Sequence, residues 1–265
     1  MRPNFSFDKR VAGRYNRQRA HPKHVSEQIG RSIVDTVNEA VGGDSGPSIL
    51  EVGYGTGRIG IPVATSGGKV TGFDLSFEMM TNEVNREEAT GAAVDLAQAD
   101  MHFFPFPNQT FDAVLCVHVL HLAQDWRKVF QEMRRSVKLG GLFIRGSDWL
   151  DPESVLAKFR DELRAHVLRL MPNAMPPAAL VSTQEMQAEF AGLNPQTKTA
   201  AEWRSFVSPR ERLNAIETKT DNESWFLPPP MHSAVLSHMQ QWAAETWNDL
   251  DEPLPVTRRF KLTYF

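Results

Sequence analysis

Apolar and polar residues follow two different periodicities between residues 48 and 146. Short apolar runs bounded by glycine or polar residues are typical of buried strands, whereas apolar residues three or four apart are typical of helices. The apolar runs predict five strands, at 48–52, 69–73, 93–96, 111–117 and 142–145. Helical segments lie between most of these strands. This alternation predicts a parallel, doubly wound sheet with helices on both faces.

The flanking segments extend this pattern. Residues 1–44 contain two stretches with helical spacing, and Pro22 stands at the start of the second. Beyond residue 150 we predict helices at 151–171, 182–191, 208–217 and 230–248, and strands at 196–207 and 256–265. The whole predicts a Rossmann-like α/β fold with a seven-stranded, mostly parallel sheet. We expect one domain spanning 1–265, with N-terminal helices (1–44), a core (45–150) and a helical cap insertion at about 208–250 in the C-terminal half (151–265).

Composition narrows the function only slightly. The net charge of −3 gives no overall basic surface, so nucleic acid is an unexpected partner despite several N-terminal arginines. The single cysteine, Cys116, lies in an apolar run and forms no disulfide framework, and no metal-binding spacing occurs. The N-terminal residues do not resemble a signal peptide, and no apolar run approaches the length of a membrane span. We therefore expect a cytoplasmic protein with no membrane partner.

The candidate chemistry starts where the first strand ends. Glu51 stands two residues before Gly53, and Gly55 and Gly57 follow at alternate positions, giving E-x-G-x-G-x-G. Glycines permit a sharp turn and a close approach of ligand to backbone. The spacing differs from the G-x-G-x-x-G of dinucleotide-binding proteins, and an acid here is unfavourable for a pyrophosphate. It favours a ligand with a positive group, such as an ammonium or a sulfonium.

Polar residues follow the other predicted strands at the same edge of the sheet. Asp74, Asp100 and His118 each come at or just after a strand end. Ligands of open α/β sheets bind beyond the carboxyl ends of the strands. Asp74, at the end of the second strand, can accept hydrogen bonds from the hydroxyls of a ribose. Four strand ends, including that of Glu51, therefore predict one ligand-binding crevice.

These motifs together resemble those of the class I S-adenosylmethionine (SAM)-dependent methyltransferases, of the ubiquinone/menaquinone-biosynthesis type (methyltransferase type 11 domain). The likeness covers about residues 45–146 in the same order and spacing. It includes the glycine turn, Gly72 to Met79, Ala99-Asp100-Met101, and Val117 to His121. It also includes Pro105-Phe106-Pro107 with Thr110-Phe111-Asp112, and the turn Val137 to Gly141, where Leu139 replaces a usual proline.

The resemblance implies SAM as cofactor and S-adenosylhomocysteine as product, with no metal. It implies that Asp100 contacts the adenine amino group, that Met101 flanks the ring and that His118 lies beside the cofactor. The residues around Tyr15 look like an N-terminal helix that closes over the carboxylate of the cofactor, with Arg19 or Arg14 as its partner. The cofactor-binding residues implied in this way are Tyr15, Arg19, Glu51, Gly53, Tyr54, Gly55, Gly57, Asp74, Leu75, Met79, Asp100, Met101 and His118.

Methyl transfer from a sulfonium depends mainly on alignment of the acceptor and exclusion of water. His118 and His121 are candidate general bases; alternatively His118 packs beside the cofactor and His121 caps the next helix. We expect a small-molecule acceptor, apolar or aromatic, and a monomer or homodimer. The alternatives are an RNA or protein methyltransferase, and a protein that binds SAM or a nucleotide without methyl transfer, including an oxidoreductase.

Overall fold

The computed structural model describes residues 20–43, 46–81, 93–172, 186, 188–220, 224 and 227–265. Seven strands form one sheet in the order β3-β2-β1-β4-β5-β7-β6. They are β1 (Ser48–Val52), β2 (Lys69–Asp74), β3 (Val94–Gln98), β4 (Phe111–Val117), β5 (Val137–Leu150), β6 (Gln196–Val207) and β7 (Leu254–Tyr264). The predicted seven-stranded, mostly parallel Rossmann-like sheet is confirmed, including the helices that separate β6 from β7 along the chain.

The described residues divide into two compact units. The first contains those within Met1–Ser147, Ser182–Ala201 and Phe260–Phe265, and the second those within Asp148–Val181 and Glu202–Arg259. The expectation of a single domain stays a prediction. No helix among the described residues has both the length and the apolar character needed to cross a membrane.

The register of the central strands aligns their carboxyl ends. β1 pairs in parallel with β2 on one side and with β4 on the other, and Val52 lies opposite both Phe73 and Cys116. β3 extends the parallel ladder, with Asp74 opposite Gln98. Burial on both faces explains why β1 and β4 read as continuous apolar runs. The residues that follow Val52, Phe73 and Cys116 therefore emerge at one edge of the sheet.

The first unit includes the helices α1 (Lys23–Val41), α2 (Gly60–Thr65), α3 (Phe77–Met80) and α4 (Trp126–Ser136), and its described residues 188–191 are also helical. α1 and α2 approach so closely that a Cβ atom on Gly30 would lie 2.2 Å from the carbonyl oxygen of Pro62. α4 begins at Asp125, whose carboxylate accepts the backbone N–H groups of Arg127 and Lys128. α2 is shorter than predicted, because residues 53–59 form turns before the helix begins.

The core of the first unit is rich in aromatic residues. Phe130, Phe143 and Phe190 pack with ring centroids 5.0 to 5.7 Å apart, in edge-on or tilted arrangements that aromatic quadrupoles favour. Val52, Val114 and Cys116 bury their side chains in the same core. Burial raises the pKa of the Cys116 thiol to about 12, so Cys116 is a buried apolar residue, as its sequence position predicts.

β5 is longer than predicted, at Val137–Leu150 instead of 142–145. It begins by pairing Val137 with Phe111, and the register then shifts so that Leu142 lies opposite Ala113. The intervening Gly140 has φ 78°, which fits the bulge of such a shift. Phe143 and Phe265 exchange both backbone hydrogen bonds, the pattern of antiparallel pairing. β5 therefore pairs with β4 on one side, from Val137 to Gly146, and with the end of the chain on the other.

The second unit has its own core, built mainly by α5 (Val155–Leu170), α6 (Pro209–Glu217) and α7 (Pro229–Thr246). Ser208 and Glu211 form a reciprocal capping box that fixes the start of α6. Trp242 and Trp247 pack on the buried ring of Phe159, with centroids 5.2 and 5.3 Å away. These tryptophans, together with the buried Met239, therefore belong to a core, as their helical spacing indicated.

A polar network joins the starts of three strands. The carboxylate of Asp112 on β4 accepts the backbone N–H of Ser48 at 2.8 Å, the hydroxyl of Ser48 at 2.7 Å and the ammonium of Lys138 at 2.9 Å. Burial by itself would raise the pKa of Asp112, but the hydrogen bonds from Lys138 and Ser48 outweigh it and hold the pKa below its usual range. Phe111 and Asp112 thus have a structural role at the start of this strand.

We predict that Asp112→Asn lowers the free energy of unfolding at pH 7 by about 1–3 kcal/mol, because it weakens hydrogen bonds to a charged group. A carboxyl whose pKa is lowered by folding stabilises the protein above its unfolded pKa and loses that contribution as the pH falls through its folded pKa. The deficit should therefore shrink near pH 3.5, as measured by urea unfolding. Asp95→Asn, on the exposed face of β3, is the control; an equal loss in both variants would contradict the network.

Candidate functional site

The turn after β1 follows a path that glycine favours. Gly53, Gly55 and Gly57 have φ values of 69°, 57° and 79°. A Cβ atom on Gly53 would also lie 2.4 Å from Cγ2 of Val119, so this glycine is required by packing as well as by backbone conformation. The turn thereby lies against the segment that follows β4.

Tyr54 projects into the protein from this turn and is 6% exposed. Its ring fills the space left by glycines of separate elements. Cβ atoms would lie 2.3 Å from the ring at Gly72 of β2, 2.6 Å at Gly60 of α2 and 2.5 Å from the hydroxyl at Gly57. Sequence reasoning placed Tyr54 among the ligand contacts and missed Gly60 and Gly72. The sequence signal for this packing was the bulky Tyr54 between two of the turn glycines.

Glu51 is a buried acid, 3% exposed, at the bottom of the turn. Its Oε2 atom has no hydrogen-bond partner within the described part of the chain. Burial raises the pKa of Glu51 to about 8, although Arg58 and the backbone N–H of Gly60 act in the opposite direction. An unpaired buried carboxyl oxygen is costly and uncommon, so it indicates a group reserved for a ligand donor.

Asp74 ends β2 and is tied to the glycine turn. Its Oδ2 accepts the backbone N–H of Gly55 at 2.8 Å, and its Oδ1 accepts the backbone N–H of Ser76 at 2.9 Å. Ser76 in turn caps α3 by accepting the N–H of Met79, as the sequence predicted. Two backbone donors therefore fix the Asp74 carboxylate, whose remaining lone pairs can accept further hydrogen bonds.

Asp100 follows β3, and its Oδ1 accepts the backbone N–H of His102 at 2.8 Å. The ring Nδ1 of His102 lies 2.7 Å from the same oxygen. The backbone hydrogen bond from His102 is the main cause that holds the pKa of Asp100 below its usual range. Sequence reasoning named Asp100 and missed His102, although His102 stands only two residues later.

The two candidate bases occupy different settings. His118 follows β4 with φ 51°, a left-handed conformation that is uncommon for a residue other than glycine and that occurs at functional sites. Val117, immediately before it, lines the pocket at the turn. His121 is exposed in a short 3₁₀ turn, Leu120–Leu122. Asp125, not His121, caps the next helix, so that alternative for His121 was wrong.

The remaining sequence-predicted contacts differ in exposure. Leu75 is 69% exposed, whereas Met79 is buried with its methyl group facing Gly55. Met101 is partly buried against the first core. Tyr15, Arg14 and Arg19 lie outside the described residues.

A small recess opens at the turn. It is lined by residues 53–56 together with Glu51, Arg58, Ile59 and Val117. The recess combines backbone groups, a buried acid and a cation in one place, with Asp74 hydrogen-bonded to Gly55 of its lining. Such an arrangement fits a ligand that carries both a positive group and hydroxyl groups.

Comparison with known proteins agrees with this chemistry. A family profile described as "Methyltransferase domain" matches residues 50–145. The chain is 32% identical over 151 residues to a phosphatidylethanolamine N-methyltransferase of Cereibacter sphaeroides. The aligned segment covers 54% of this chain and 71% of that protein. A second relative, demethylmenaquinone methyltransferase of Tropheryma whipplei, is 32% identical over 105 residues, covering 39% of this chain and 43% of that protein.

One solved structure shares the fold at low sequence identity. It is described as a type II methyltransferase from Anaeromyxobacter dehalogenans and has a TM-score of 0.52 at 16% identity. The match covers 88% of this chain and 94% of that one. This likeness supports the fold and carries nothing further.

We predict that Glu51→Gln changes how stability depends on pH. A carboxyl whose pKa rises on folding stabilises the protein below its unfolded pKa, and that contribution is lost as the pH rises through the folded pKa, here about 8. The free energy of unfolding of the wild type should therefore fall, relative to that of the variant, by up to about 1.4 kcal/mol per pH unit between pH 5 and 8. Urea unfolding at several pH values measures this slope. The exposed Glu252→Gln serves as control, and equal slopes for the wild type and Glu51→Gln would refute the assignment.

We also predict that Gly72→Ala destabilises the protein by about 1–3 kcal/mol, because the new Cβ atom overlaps the Tyr54 ring. Tyr54→Ala should cost more by leaving a cavity. The double variant should lose less than the sum of the two, since the overlap is gone. Thermal unfolding provides the comparison, with Gly43→Ala as a control because a Cβ atom there meets only an ordinary contact at 3.8 Å. Strict additivity would argue against the packing described.

Proposed function

Because the chain belongs to the class I SAM-dependent methyltransferases, we propose that its glycine turn binds SAM and that it methylates a small-molecule acceptor. The enzyme class and the cofactor follow from the family. The acceptor and the roles of individual residues are our proposal. The observation that carries the cofactor site is the unpaired, buried carboxyl oxygen of Glu51 beside the three turn glycines.

The residues at the turn fit the groups of SAM. Glu51 would accept hydrogen bonds from the ammonium of the methionine part, and a positive charge next to the carboxyl would lower its raised pKa. Asp74 would accept hydrogen bonds from the ribose hydroxyls. The absence of side chains at Gly53 and Gly55 leaves backbone exposed to the ligand. SAM supplies an activated methyl group on its sulfonium, so the protein need only hold the acceptor in line and exclude water.

His118 is the better supported of the two candidate bases. It follows a residue that lines the pocket and has a left-handed backbone conformation, whereas His121 is exposed on the neighbouring turn. A base is needed only when the acceptor holds a proton at its nucleophilic atom, as a phenol or an ammonium does. His118 would then receive that proton on a ring nitrogen. With an acceptor that carries no such proton, His118 would instead shape the pocket.

For the acceptor we propose an apolar or aromatic small molecule. The similarity to a phosphatidylethanolamine N-methyltransferase favours a second candidate, a primary amine carried on an apolar or phosphorylated molecule. Both candidates use the same cofactor site and differ only in the atom that receives the methyl group. RNA or protein methylation and SAM binding without methyl transfer remain as outcomes of the tests below.

We predict that S-adenosylhomocysteine and SAM bind the purified protein in calorimetry and that NADH does not. Asp74→Asn should weaken binding by about tenfold or more, because it replaces a charged acceptor. Asp95→Asn, an exposed acid on the next strand, should bind like the wild type. Binding of NADH in place of SAM would overturn the proposal.

The acceptor is tested with SAM labelled in its methyl group. Label should pass to aromatic phenols or to ethanolamine-containing phospholipids, and the preferred panel decides between the two candidates. His118→Asn should reduce transfer by a larger factor than it weakens S-adenosylhomocysteine binding. Label that passes only to RNA or protein would replace the small-molecule assignment. Cofactor binding with no transfer to any of these acceptor classes would indicate a non-catalytic protein.

A further inference from the structure

His102 connects an acid at the candidate cofactor site to the start of a helix. Its ring Nδ1 lies 2.7 Å from Oδ1 of Asp100, and its ring Nε2 lies 3.3 Å from the backbone nitrogen of Asp125. A backbone N–H can only donate, so Nε2 must accept. The proton of the neutral ring is therefore on Nδ1, which donates to the carboxylate. Both contacts together specify one tautomer and one ring orientation.

The two donors of His102 act on a single oxygen of Asp100. The backbone N–H and ring Nδ1–H both reach Oδ1, whereas Oδ2 has no hydrogen bond to any residue in the described part of the chain. The Asp100 side chain is 48% exposed and the His102 side chain 15% exposed. A half-exposed acid in a loop would otherwise sample several rotamers. His102 thus fixes Oδ1 of Asp100 as the oxygen that accepts hydrogen bonds within the protein and leaves Oδ2 to accept a hydrogen bond from a ligand.

The opposite end of His102 rests on a rigid element. Asp125 is the residue before α4, and its carboxylate Oδ1 accepts the backbone N–H groups of Arg127 and Lys128, each at 3.1 Å. These contacts cap the helix, so the position of the Asp125 N–H is set by α4. The side chain of Asp100 is therefore held through His102 by a helix 23 residues further along the chain from that histidine.

We propose that His102 is a positioning residue for the cofactor, holding Asp100 so that Oδ2 accepts the adenine amino group of SAM. This inference rests on the cofactor site proposed above. A carboxylate oxygen is a strong acceptor for an amino group. Restricting the Asp100 rotamer before binding reduces the ordering cost that binding would otherwise carry. The role belongs to His102 because it supplies both hydrogen bonds that the carboxylate of Asp100 accepts within the described part of the chain.

Two substitutions of His102 distinguish the contact of its Nδ1 with Asp100 from the contact of its Nε2 with the Asp125 N–H. His102→Asn keeps an amide N–H near the position of Nδ1, and His102→Gln moves its amide toward the position of Nε2 and removes the donor to Asp100. The ligands are S-adenosylhomocysteine and S-inosylhomocysteine, in which a carbonyl oxygen replaces the adenine amino group. Affinities come from calorimetry, and thermal unfolding reports whether each variant is folded.

We expect His102→Gln to weaken S-adenosylhomocysteine binding by about three- to tenfold, the usual scale for ordering a side chain. His102→Asn should stay within about twofold of the wild type. The inosine ligand, which presents a carbonyl oxygen to Oδ2 in place of the amino group, should bind all three proteins with similar and weaker affinity. Equal losses for both ligands in His102→Gln, or no loss at all, would overturn the role, because His102 would then act on the loop or not at all.

Asp100→Asn gives an independent test if His102→Gln does not fold. The two donors of His102 select the amide oxygen of the new side chain, which places its NH₂ group where Oδ2 was. The variant should therefore prefer the inosine ligand over S-adenosylhomocysteine. An unchanged preference would refute the positioning role. Wild-type protein that binds neither ligand would instead refute the cofactor site itself, and with it this inference.

Discussion

A carboxyl group buried at the end of the central strand constrains the rest of the site. Glu51 lies between β2 and β4 in the sheet, opposite Gly72 and Leu115, and burial shifts its pKa to about 8. Such a group destabilises the ligand-free protein at neutral and alkaline pH, and that cost is consistent with a site reserved for a positively charged ligand. The turn above it requires glycines because of its left-handed backbone angles, and Gly53 is also required by its close approach to Val119.

The acids around this turn are fixed in different ways. Asp74 is held by the backbone N–H groups of Gly55 in the turn and of Ser76, so its position follows from the parallel register of β1 and β2. Asp100 is held by the backbone N–H and the ring of His102, and that ring is itself anchored on α4. The first arrangement uses backbone groups alone, whereas the second depends in part on one side chain, whose contribution a single substitution removes.

The family match and the second unit cover different parts of the chain. The matched segment, residues 50–145, lies within the first unit. The second unit has a separate core of α5, α6 and α7, in which Phe159, Trp242 and Trp247 pack together. The apolar residues of the second unit are therefore explained by packing within that unit, and the family profile does not extend to them. This is the physical reason why cofactor chemistry is clear while the acceptor stays a proposal.

The sequence by itself determined the alternation of strands and helices in the core, the glycine turn and the acids Glu51, Asp74 and Asp100, because apolar runs and turn glycines are local signals. Tertiary structure decided whatever depends on distant partners. Tyr54 points inward because Gly60 and Gly72, which belong to separate elements, leave space for its ring. β5 begins as early as Val137 because of bulged pairing with β4, and its other edge pairs with the distant end of the chain, at Phe265. His102 gained a role only when folding placed Asp125 beside its ring, since no local pattern encodes a contact between loops.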